Sequence, residues 1–218
     1  MKRLIYYLTM LRSRSALIRK YGKEFWVNFR NRSRSEFKAI LPLVPDIGNS
    51  IFSFNYQFAA PYIAWYKALM DLGLTQQEAW ETIWLMNEKM AKTIPKALLH
   101  TTGKRYMKGF RKKAAAHIVR QQQNALHPYD WHVTYRDISD NTFELDITEC
   151  AMKKLAHDCN ADGLLPGICR MDFLFSHLMG NGFERTKTLG DGDDCCNCRY
   201  HLEGTCAWSP GEGFITRK

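Results

Sequence analysis

Trp131-His-Val-Thr-Tyr-Arg-Asp-Ile-Ser-Asp-Asn-Thr-Phe-Glu-Leu-Asp-Ile-Thr148 is the stretch on which the reading of this chain turns. Trp131, Val133 and Tyr135 alternate with His132, Thr134 and Arg136; after a turn at Ser139-Asp-Asn141, Phe143, Leu145 and Ile147 alternate with Glu144, Asp146 and Thr148. Successive side chains of an extended strand point to opposite faces, so a period of two predicts a β-hairpin with one apolar face. Before His127-Pro128 the period is 3.6 instead, the signature of helices.

Upstream, Leu4, Leu8, Leu11 and Ile18 recur at helical intervals among Lys2, Arg3, Arg12, Arg14 and Arg19, which predicts a basic amphipathic helix ending at Gly22. Residues 23–35 mix aromatics with Arg30, Arg32 and Arg34. A short helix over 36–41 is stopped by Pro42 and Pro45, and a longer one over 58–72 is closed by Gly73. Thr75-Gln-Gln-Glu78 is a capping box that fixes the start of another helix, with Ala79, Trp80, Ile83, Trp84, Met90 and Ile94 on one face. That stripe reads as core. A last helix covers about 103–123.

Downstream of the hairpin the expectation is a helix over 151–159, a loop over 160–167, a helix over 168–179, and strands over 183–189 and 196–202. Helices first, then strands interleaved with helices, give an α+β protein: a helical N-terminal layer packed on a small, mainly antiparallel sheet. The chain then divides into a basic helical region 1–125, a cysteine-rich α+β region 126–204 sharing its core, and a tail 205–218.

The net charge of +9 is unevenly spread. Residues 1–40 hold eleven Lys and Arg against Glu24 and Glu36, residues 101–120 carry seven cations and no acid, and carboxylates outnumber cations from 121 onward. Such a split suits either attraction between two parts of one globule or a surface for anions. No recognisable nucleic-acid fold accompanies it, so no nucleic-acid partner is expected; peripheral membrane contact through the first helix stays open. No apolar window reaches the roughly 18 residues of a spanning helix. The seven cysteines, odd in number and all within 150–206, fit a reduced cytoplasmic chain better than a disulfide framework. The sequence does not indicate an oligomeric state.

Arg185-Thr-Lys-Thr-Leu-Gly-Asp-Gly-Asp-Asp-Cys-Cys-Asn-Cys-Arg-Tyr-His201 concentrates the chemistry. Read as strand, turn and strand, it puts Cys196, Cys198 and Tyr200 on one face and Asn197, Arg199 and His201 on the other. A thiol works as a nucleophile only as thiolate, so cations and turn amides near Cys196 matter. Packing of Cys196 and Cys198 as small apolar groups on a strand is an equal alternative. Alternatively Cys196 and Cys198, joined by Cys150 and Cys169, form a thiolate site for a divalent metal or an iron–sulfur cluster, making the chain a non-catalytic ligand- or metal-binding module.

Thr186-x-Thr188-Leu189, the Gly/Asp turn and Cys195-Cys196-x-x-Arg199-Tyr200 resemble the C-terminal signature of the L-2-amino-thiazoline-4-carboxylic acid hydrolase-like family, Arg-Thr-x-Thr-Leu-Ala-x-Gly-Gly-x-x-Cys-Asp-Phe-Arg-Phe. Asn197 stands where that pattern has Asp, and Cys198 where it has Phe. Cys169-x-x-Asp172, Leu41-Pro-Leu-Val-Pro-Asp-Ile-Gly48 and Ala64-Trp-Tyr-Lys67 also agree. The resemblance implies a hydrolase acting on a C–N or C–S bond of a small cyclic amidine- or thiazoline-type carboxylic acid. It implies Cys196 as nucleophile or metal ligand, Asp172 or Glu149 as acid/base, Arg199 or Arg185 as carboxylate clamp, and Thr186 and Thr188 as orienting hydroxyls.

Overall fold

The structure is a computed structural model that describes residues 1–206. Eight α-helices and four strands follow in the order α1 (Lys2–Tyr21), α2 (Lys23–Ile40), α3 (Ala59–Asp71), α4 (Gln76–Ala91), α5 (Lys96–Gln122), β1 (His132–Ser139), β2 (Thr142–Glu149), α6 (Ala151–Asp158), α7 (Leu165–Cys169), α8 (Met171–Met179), β3 (Gly182–Glu184) and β4 (Cys196–His201). The fold class is α+β, with the helical layer first. Among the described residues no helix is long and apolar enough to cross a membrane.

Three helix boundaries differ from the sequence reading. The aromatic and arginine run after Gly22 is already helical: Trp26, Phe29, Ser33, Phe37 and Ile40 are buried at intervals of three and four, so α2 is one continuous helix rather than a short one from residue 36. Helix α5 begins at Lys96, because Gly103 is an interior packing position and not a start. A Cβ there would sit 2.6 Å from both the Cβ and the carbonyl oxygen of Met179, so glycine lets α5 and α8 approach closely. The expected loop and helix over 160–179 are two helices, α7 and α8, broken at Arg170.

The sheet order is β1-β2-β4-β3 and every pairing is antiparallel. The β2–β4 register sets Ile147 against Cys196, Leu145 against Cys198 and Phe143 against Tyr200. These six line the inner face and all are buried. Phe110 of α5 stands edge-on to Tyr200, centroids 5.2 Å apart, while Phe143 stacks on the same ring at 5.1 Å. One hydrophobic cluster runs from Tyr6 in α1 to Cys206, so the helical layer and the sheet share a core.

Strand β3 is shorter than expected, ending at Glu184 rather than continuing to 189. Its amide donors are diverted. Asn197 Oδ1 accepts from the backbone N–H of Thr186 (3.0 Å) and of Lys187 (2.7 Å), and Asp193 Oδ2 accepts from the N–H of Thr188 (2.8 Å). With those groups bonded to side chains, the segment leaves the ladder and closes as a 3-10 turn over Leu189–Asp191. The expected tail at 205–218 lies almost wholly outside the described residues.

Candidate active site

Strand parity decides which of the expected residues meet. Cys196 and Cys198 face inward from β4, while Asn197 between them and Arg199 beyond them face out. The diverted segment 185–189 then folds back over Cys196. Its sulfur accepts the backbone N–H of Leu189 at 3.2 Å and lies 3.4 Å from the Thr188 hydroxyl. Negative charge on this sulfur would meet a backbone donor and a hydroxyl.

Cys169, at the end of α7, comes to the same turn. A Cβ on Gly190 would lie 2.7 Å from its Sγ and 3.1 Å from the Leu165 carbonyl, so only glycine admits this approach. The Thr188 hydroxyl is within hydrogen-bonding reach of Cys169 as well as Cys196. Burial pushes the Cys169 thiol up to about 12, against a partial pull down from Arg185. Burial likewise pushes Cys150 up to about 11 and holds Cys198 well above the ordinary thiol range. These three are neutral thiols near pH 7. Among the described residues no three His, Cys, Asp or Glu side chains are grouped so as to hold a metal ion, and Cys150, Cys169, Cys196 and Cys198 do not converge into such a group.

Arg185 carries a cation into this apolar interior. Its Nη1 donates to Asp172 Oδ2 at 2.8 Å and its Nη2 to the Cys169 carbonyl at 2.7 Å, while its Nε has no partner among the described residues. The guanidinium also lies 5.5 Å from the Phe173 centroid and 5.3 Å from that of Phe183. Burial pushes the Asp172 carboxyl above its ordinary value, and Arg185 beside it pulls the other way without cancelling that effect. The Asp172 charge in turn reaches Tyr62, Tyr106, Tyr200 and Cys198 and helps hold their protons. A second ion pair, Arg170 to Asp191 at 3.0 Å, ties the α7–α8 junction to the turn after Thr188.

Glu149 does not join this group. It sits at the exposed end of β2, where the β1–β2 register shifts between His132 and Val133 and the strict alternation breaks, and it is bonded to Lys154 at 2.5 Å. Arg199 is also outside, its guanidinium held by Glu144 at 2.6 Å. It nevertheless borders an open groove of about 180 Å³ lined by Arg136, Glu144, Asp146, Glu184, Arg185, Thr186, Asn197 and Cys198 as well. Arg185 and Cys198 therefore belong both to the inner cluster and to this groove, whereas Thr186 belongs to the groove alone. Cys196, whose sulfur takes the Leu189 N–H and neighbours the Thr188 hydroxyl, lies next to the groove residue Asn197 in sequence and on the inner face of β4.

Sequence reasoning missed four contributors. Tyr62 and Tyr106 come from α3 and α5, remote in sequence from Asp172, whose charge reaches both. Arg170 was hidden by the expectation of an unbroken helix, although its place beside Cys169 was a signal. Asn197 looked like the loss of an acid and turns out to brace the loop.

No curated protein matches the chain. Residues 54–200, two thirds of the length and including every element of the site, match the family described as L-2-amino-thiazoline-4-carboxylic acid hydrolase, and this chain belongs to that family.

Proposed function

We propose that the chain hydrolyses a C–N or C–S bond of a small cyclic amidine- or thiazoline-type carboxylic acid, with Cys196 as nucleophile. The observation that carries this reading is the Leu189 N–H donated to the Cys196 sulfur with the Thr188 hydroxyl 3.4 Å from it, near an ion pair between the buried Arg185 and the partly exposed Asp172. Family membership supports a hydrolase-like activity in general.

In this reading the Cys196 thiolate adds to the ring carbon between sulfur and nitrogen. A ring bond from that carbon to one heteroatom breaks, and the departing atom takes a proton from Asp172, whose raised carboxyl keeps that proton to higher pH than a surface aspartate does. Water then attacks the Cys196-bound carbon and releases the sulfur, and the carboxylate of Asp172 recovers a proton from that water. Arg185 meets the substrate carboxylate through Nε, and Thr188 orients the ring. Arg199 and Thr186 act from the groove side, on a substituent rather than on the ring. Glu149 has no part in it.

The test is turnover of 2-amino-thiazoline-4-carboxylic acid and related cyclic amidines, followed by the appearance of an open-chain product by mass spectrometry. Cys196→Ala is expected to abolish turnover and Asp172→Asn to lower kcat by about 10²–10⁴-fold. A folded Cys196→Ala protein with full turnover refutes the thiol mechanism.

A further inference from the structure

Helix α1 packs against the globule with Ile5, Tyr6, Met10 and Leu17, yet its opposite side is also apolar. Leu4, Tyr7 and Leu11 are 61%, 49% and 64% exposed. Together with Met1 they make up four of the ten large exposed apolar residues found among the described residues, so this surface is concentrated rather than scattered. At 3.6 residues per turn Tyr7, Ile18, Leu11 and Leu4 fall in a wedge of about 60°. Arg3 and Arg14 flank that wedge on one side and Arg12 and Arg19 on the other. All four arginines are exposed, and among the described residues none is in an ion pair.

The helix contains no acid, and the nearest carboxylate in sequence after Glu24, Glu36, is engaged by Lys67 at 3.1 Å. An apolar centre between two cationic flanks is the pattern of a helix lying in the plane of a membrane, with leucines among the acyl chains and arginines at the headgroups. A second copy of this face fits poorly, because its flanks would set arginine against arginine. Nucleic acid fits poorly too, because phosphates would press on Leu4, Tyr7 and Leu11. Charge complementarity thus selects one occupant, and we infer that α1 docks this protein on an anionic lipid surface through Leu4, Tyr7 and Leu11, steered by Arg3, Arg12, Arg14 and Arg19. The site lies on α1, whereas Cys196 lies on β4, so this inference stands apart from the proposed hydrolysis.

Co-sedimentation of the full chain with vesicles tests it. Wild type is expected to pellet with phosphatidylcholine vesicles containing about 30% phosphatidylserine and far less with phosphatidylcholine alone. Leu4→Asp with Leu11→Asp is expected to weaken partitioning by about 100-fold or more. Arg12→Gln with Arg14→Gln is expected to weaken it by about 25-fold, roughly fivefold for each cation removed. All four positions are exposed, so the melting temperature is expected to stay at the wild-type value and certifies the fold. Failure to pellet with anionic vesicles, or pelleting untouched by the leucine pair, overturns the inference. So does a dimer, or retention of DNA, that the leucine pair abolishes while vesicle binding persists.

Discussion

Replacing Asp172 by alanine is expected to cost more stability than replacing Arg185 by methionine, and the reason lies in how unequally the two partners are buried. The Arg185 side chain is 2% exposed, whereas that of Asp172 is 35% exposed. Without Asp172 the guanidinium keeps only the Cys169 carbonyl and two aromatic faces, and it cannot shed its proton. An uncompensated buried charge costs about 3–5 kcal/mol, and the ring contacts return about 1 kcal/mol of it. Without Arg185 the carboxylate still has water, and the loss is the bond to the Cys169 carbonyl, about 1–3 kcal/mol. The double variant removes both charges and is expected near the methionine single, so the coupling is about 2 kcal/mol or more. Urea unfolding of the four proteins measures the cycle. For a chain of this size Asp172→Ala is expected to lower the melting temperature by roughly 6–12 °C. Additive losses, or Arg185→Met costing more than Asp172→Ala, would refute the argument that burial of the cation sets the energetics.

Gly190→Ala places a Cβ 2.7 Å from Cys169 Sγ and 3.1 Å from the Leu165 carbonyl, so it is expected to destabilise by about 1–3 kcal/mol; a melt within error of wild type would show that the turn yields. Cys150 and Cys169, pushed up to about 11 and about 12, carry almost no thiolate at pH 8. Mass spectrometry after iodoacetamide treatment should find them unmodified until urea unfolds the chain, and labelling at the unfolded rate would contradict this. Glu144 has its carboxyl lowered first by Arg136 and then by Arg199. A depressed carboxyl stabilises the fold above its unfolded value of 4.5 and loses that contribution as pH falls through the native value, so Glu144→Gln should flatten the stability curve below about pH 4.5 and leave the alkaline side unchanged. Equal acid limbs for the two proteins would dispose of that account.

The hairpin over 132–149 and the inward parity of Cys196 and Cys198 were legible because period two and strand geometry are local rules. The capping box at Thr75 was legible for the same reason, and the structure shows both of its reciprocal bonds. Less legible was whatever a distant partner decides. The start of α5 depends on how closely Met179 approaches Gly103, and the end of β3 depends on Asn197, eleven residues past Thr186. The site divides along the same line. Cys196, Thr188, Asp172 and Arg185 sit around one fold-back and could be guessed from sequence spacing, and so could the outward parity of Arg199, whereas Glu149 is left outside by a register shift between β1 and β2 at His132/Val133 that no local pattern announces.

The replacement of the family's Asp by Asn197 follows from the same brace. The loop requires an oxygen that accepts two backbone N–H groups, and an Asn or an Asp supplies it equally well. Asn adds a donor, with Nδ2 reaching the Thr186 hydroxyl at 2.8 Å, a bond in which an ionised Asp could only accept. The β2–β4 register also sets residue 197 directly opposite Asp146, in a groove that already holds Glu144 and Glu184. A carboxylate there would stand against a carboxylate, a pairing that destabilises a sheet. The amide therefore keeps the geometry that diverts residues 186–188 and removes a repulsion that this groove would impose. Because the same diversion brings Thr188 and Leu189 over the Cys196 sulfur, loss of the acid at 197 leaves the thiol's surroundings in place, and the charge at that position has no necessary part in the chemistry proposed for Cys196.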